Sequence, residues 1–152
     1  MMSISHINPD VELCDFLKGK ITLPIPGSAE TEDVAIYSDW EHSTNNLPDD
    51  FIICSLNGDI SGVGMDTPFA QGYIMVTIYC KLNDNGSIKK NRINYIISQF
   101  DSLIEKKCTE IFFFEYDNDR FITPTTPNES NGYSITSLNL RWTTTSNFNK
   151  QS

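Results

Sequence analysis

The run Tyr73-Ile-Met-Val-Thr-Ile-Tyr-Cys-Lys-Leu82, the turn Asn83-Asp-Asn-Gly86 and the segment Ser87–Lys106 decide the fold. In the first, Ile74, Val76, Ile78, Cys80 and Leu82 alternate with Tyr73, Met75, Thr77, Tyr79 and Lys81, the period of a half-buried strand. The turn is rich in the residues that accept tight backbone geometry. Beyond it, Ile93, Ile96, Ile97, Phe100, Leu103 and Ile104 recur at helical spacing, so Ser87–Lys106 reads as an amphipathic helix. Glu110-Ile-Phe-Phe-Phe-Glu-Tyr116 follows as aromatic β sequence. A helix laid over one face of a sheet satisfies both periods at once. The class is α+β: a mainly antiparallel sheet, this long helix on one face, and a short N-terminal helix.

That short helix is marked by Asn8-Pro9, a capping residue followed by proline at the first helical position. Asp10 and Glu12 suit its positive end, Leu13 and Leu17 share a face, and Gly19 stops it. Lys20–Ile25 reads as a strand that Pro24 confines to an edge or an early ending. Gly27–Asp33 reads as a polar, acidic loop, Val34–Tyr37 as a short strand, and Ser38–Asp50 as a second polar loop. Phe51–Leu56 is apolar on both faces and reads as a central strand. Asn57–Gln71, with Gly58, Gly62, Gly64 and Pro68, lacks periodicity and reads as a long loop of the functional kind. Phe121–Asn131 carries two prolines and reads as loop or edge. Tyr133–Thr144 is the last strand, with Leu138, Leu140 and Trp142 on one side, and 145–152 is a polar tail. The expectation is one domain over residues 1–152.

The chain has 152 residues and a net charge of −9, from 20 acidic and 11 basic residues. A duplex-DNA groove needs a basic stripe, and the one basic cluster is Lys89, Lys90 and Arg92 at the helix start. Sequence-specific nucleic-acid binding is therefore not expected. Cys14, Cys54, Cys80 and Cys108 form no C-x-x-C pair and have no neighbouring His, so free buried thiols in a reducing cytoplasm are expected rather than a zinc site. No basic segment leads an apolar run at the N-terminus, and no apolar run reaches membrane-spanning length, so neither a signal peptide nor a membrane partner is expected.

Chemistry-bearing patterns are sparse. Asp117-Asn-Asp119 lacks the distal Glu and central Gly of a calcium loop and reads as a turn. Gly58-Asp-Ile-Ser-Gly-Val-Gly64 has neither the Gly-Lys-Ser/Thr of a phosphate loop nor dinucleotide spacing. His6 and His42 lie in polar sequence with no nucleophile signature nearby. The expectation is no catalytic residue, no metal and no cofactor. In Phe112-Phe-Phe114 the flanking residues are Glu110 and Glu115, which disfavours base stacking and favours core on one side and protein contact on the other.

The order of elements resembles the tail terminator, or tail-completion, family of long-tailed bacteriophages. The matching pieces are Pro9–Lys18, Ile21–Ile25, Tyr73–Leu82 with Ser87–Lys106, and Glu110–Tyr116 with Tyr133–Thr144. The resemblance implies a non-enzymatic virion protein, assembled in the bacterial cytoplasm, that forms a homo-oligomeric ring, with a hexamer the expected order. The ring caps the tail tube, meets the tail tube protein and the head-tail connector, and lets genomic DNA pass. An acidic lining would not trap that DNA. Under this reading Asp59, Asp66, Glu30, Glu32 and Asp33 are the candidate lumen or ring-docking residues. Leu13, Leu17, Phe112, Phe114 and Tyr79 are the candidate subunit interface. A head-completion or neck connector protein is the alternative within the same class, and an acidic DNA mimic that inhibits a host DNA-binding protein is the alternative from another.

Overall fold

The computed structural model describes residues 9–25, 27–38, 47–61, 71–104, 112–116, 126–128 and 132–144. In chain order the elements are α1 (Pro9–Leu17), β1 (Thr22–Pro24), β2 (Thr31–Asp33), β3 (Ala35–Ser38), β4 (Asp50–Ser61), β5 (Gln71–Lys81), α2 (Lys90–Ile104), β6 (Phe112–Tyr116), β7 (Thr126–Asn128) and β8 (Tyr133–Thr144). The main sheet has the order β3-β4-β5-β8-β6, and β7 lies off this path, paired with β8. All its pairings are antiparallel except β3 with β4. β1 and β2 form a separate antiparallel ribbon. The fold is α+β with a mainly antiparallel sheet, as the two periodicities predict.

The registers set which residues share a face. Ile36, Ile52, Ile78 and Thr136 lie in one cross-strand row, and Ser38, Cys54, Val76 and Leu138 in the next. Both helices pack on this side: α1 against β3 and β4, α2 against β5, β6 and β1. The apolar stripe of α2 is buried at Ile93, Ile96, Phe100 and Ile104, with Ile97 and Leu103 packed at its margin. A helix of this length is marginal alone in water. Each fully buried Ile or Phe contributes about 1.5–3 kcal/mol, so burial of the stripe rather than intrinsic propensity holds α2 in place.

The structure departs from the sequence expectations at several points. α2 starts at Lys90, not Ser87. Residues before it are held in a hydrogen-bonded loop: Asn83 N–H donates to Ser87 O at 2.9 Å, Gly86 N–H to Asn83 O at 2.8 Å, and Ser87 N–H to Asn85 Oδ1 at 3.0 Å. Asn and Ser side chains compete here with helical hydrogen bonds. Thr31–Asp33 is not loop but β2, because backbone pairing with β1 needs no apolar side chain, and all three residues are exposed. The strand Phe51–Leu56 extends through Ser61, since Asn57 pairs with Tyr73 and Ser61 with Gln71 around an irregularity in the ladder. The first residues of the expected Asn57–Gln71 loop are therefore strand.

The proposed interface set is also corrected. Leu13 and Leu17 are fully buried, because the apolar face of α1 meets the sheet of its own chain. Phe112 and Phe114 are buried as well; Phe114 pairs with Trp142, and Phe112 meets the Trp142 ring edge-on at 5.6 Å between centroids. Strand alternation turns Phe113, which is 40 % exposed, to the other face. Four of the five named residues thus belong to the core.

Candidate functional site

Two acidic stretches separate in sequence meet where β2 ends and β4 begins. They border a notch of about 260 Å³ lined by Leu23, Val34, Ala35 and Pro48 together with Glu32, Asp33, Asp49 and Asp50. Glu32 and Asp33 arrive on the exposed β2 strand. Asp50 opens β4 and lies opposite Cys80 in the β4–β5 register. Arg92, in the first turn of α2, reaches down to it: one Nη donates to Asp50 Oδ2 at 2.6 Å and the other to Pro24 O at 3.3 Å. The Asp50 side chain is 10 % exposed and that of Arg92 21 %, so the pair lies largely out of water. Hydrogen bonding to Asp50 raises the Arg92 pKa further above its usual range against the opposing effect of burial, so the guanidinium stays charged.

Around this pair the electrostatics are those of a structural anchor. Burial, with help from the charge and hydrogen bond of Asp50, pushes the Cys80 thiol up to about 12, which makes it a poor nucleophile at neutral pH. Lys81 pairs with Asp49 at 3.7 Å, with both side chains more than half exposed. Tyr133 donates its hydroxyl to Pro48 O at 2.8 Å, and its pKa is raised chiefly by burial and secondarily by Asp49 and Asp50. Among the described residues no group of three or more His, Cys, Asp or Glu side chains is placed to hold a metal ion. Cys14, Cys54 and Cys80 are buried free thiols.

Of the predicted lumen or docking residues, the structure brings Glu32 and Asp33 together at the notch. Glu30 sits in the connection of the β1–β2 ribbon, where its N–H donates to Ser28 Oγ at 3.1 Å and its carbonyl accepts Ile25 N–H at 3.0 Å. Asp59 lies on β4 in a part whose side chains are outside the described residues, and Asp66 lies outside them altogether. So do His6, His42, Cys108 and Asp117–Asp119. Tyr79 is the one residue of the interface set on the face away from the helices: it is half-buried and stacks on Phe51 at 4.6 Å with nearly parallel rings.

Sequence reasoning missed Asp49 and Asp50, which it placed at the end of a polar loop, and it missed the role of Arg92. The only hint was an acidic pair abutting an apolar strand. The partners are 42 residues apart, and only the strand register and the start of α2 bring them together.

The chain matches no known family model, and no curated protein or solved structure is significantly similar to it.

Proposed function

We propose that this chain is a structural virion protein: one subunit of a homo-hexameric ring that caps a phage tail tube and joins it to the head-tail connector, with genomic DNA passing through the lumen. The observation that carries the reading is the order of elements. A short helix (α1), a strand (β1), a strand carrying an apolar run (β5), a long helix (α2) and final β-strands (β6 and β8) follow each other in the order that the resemblance to tail terminators implies. Both helices lie on one face, so subunit contacts fall to the other face and to the sheet edges. Tyr73 and Phe113, 44 % and 40 % exposed, and half-buried Tyr79 are among the large side chains on that face. They replace the four core residues as interface candidates, since aromatic side chains are favoured at protein contacts. A closed ring requires head-to-tail contacts, in which different patches meet.

The acidic balance supports a passage for DNA rather than a grip on it. Glu30, Glu32 and Asp33 on the β1–β2 ribbon are exposed and repel phosphate. Electron microscopy of particles assembled without this protein tests the proposal. Overlong or unjoined tails are the expected result. Leaking or empty heads would assign the chain to head completion instead, and normal virions would end both readings. Native mass spectrometry of the assembled neck gives the ring order.

A further inference from the structure

We draw no further inference here: the strongest candidate, the notch between the β1–β2 ribbon and the start of β4 lined by Glu32, Asp33, Asp49 and Asp50, is an acidic cluster belonging to the site already described, its innermost carboxylate is paired with Arg92, and nothing in the structure shows what covers it.

Discussion

Gln99 on α2 and Thr22 on β1 exchange two hydrogen bonds, with the side-chain amide acting as a neighbouring strand would. Thr22 N–H donates to Gln99 Oε1 at 3.0 Å, and Gln99 Nε2 donates to Thr22 O at 2.7 Å. The need for this arises in the ribbon itself. Val34 N–H bonds Ile21 O, so the adjacent pair, Thr22 and Asp33, is a non-hydrogen-bonded pair of the antiparallel ladder. The backbone groups of Thr22 therefore turn away from β2, toward α2. Gln99→Ala removes both partners from a half-buried backbone amide and carbonyl. The expected loss is about 1–3 kcal/mol, read as a lower urea midpoint with an unchanged slope, together with faster hydrogen exchange at Thr22. An unchanged midpoint and unchanged exchange would mean that burial of Ile21 and Leu23 holds the ribbon alone.

Gly72 and Trp142 lie opposite each other on β5 and β8, and the fit between them is close. A Cβ on Gly72 would stand 2.9 Å from the indole Cε2, Cζ2 and Nε1 atoms. Trp142 has no accessible surface and is bordered by Phe112 and Phe114, so the rigid ring has little room to yield. Gly72→Ala should cost about 1–3 kcal/mol as an overpacked site. Trp142→Phe alone should also destabilise, by leaving a void. Combined, the two changes should cost less than their sum, because the smaller ring makes room for the methyl group. A double-mutant cycle in urea measures this coupling, and strict additivity would show that the contact does not constrain the pair.

What the sequence made legible follows from where burial leaves a period. In β5, β8 and α2 one face is buried, and the alternation of Ile74, Val76 and Ile78 or the spacing of Ile93, Ile96 and Phe100 reports it directly. β8 has the predicted bounds, Tyr133–Thr144. β2 left no such mark, since Thr31, Glu32 and Asp33 are exposed and only their backbone is paired. The far half of β4 was hidden for the same reason: pairing with β5 carries it past the apolar residues. Assigning Leu13, Leu17, Phe112 and Phe114 to an interface failed because an apolar stripe announces that it will be buried, not by which chain. The acidic notch was invisible because its carboxylates come from two segments joined only by tertiary structure.

The Arg92–Asp50 pair should matter far more than the Lys81–Asp49 pair one strand away. Lys81 and Asp49 are well exposed, and such surface pairs contribute about 0–1 kcal/mol. Lys81→Ala should therefore leave the unfolding midpoint almost unchanged. Arg92→Ala strands Asp50 in a site that is nine-tenths buried. Breaking a buried pair costs about 3–5 kcal/mol, and with Arg92 a fifth exposed the loss should fall toward the lower end. The double variant Asp50→Asn, Arg92→Met should recover part of it, because no uncompensated charge then remains. Equal effects of Arg92→Ala and Lys81→Ala in urea or thermal denaturation would contradict this ranking.

Cys80 links the same anchor to alkaline pH. Burial chiefly, and Asp50 secondarily, raise its thiol from 9.0 to about 12 in the folded chain. The unfolded chain then loses the proton near pH 9 while the native state keeps it. Because the folded pKa is the higher one, the stabilising contribution is complete below about pH 9 and is lost as the pH climbs toward 12. Cys80→Ala should lower stability at pH 7 by leaving a small void, yet flatten the decline above pH 9 relative to the parent, with lysine and tyrosine titration common to both. The comparison is made on the slope of unfolding free energy against pH, which separates proton linkage from packing. Alkylation at pH 8 with mapping by mass spectrometry should find Cys80 unmodified in the native chain and modified after denaturation. Rapid native labelling, or identical alkaline slopes in the two proteins, would show that the thiolate is tolerated where Asp50 and the closed core should exclude it.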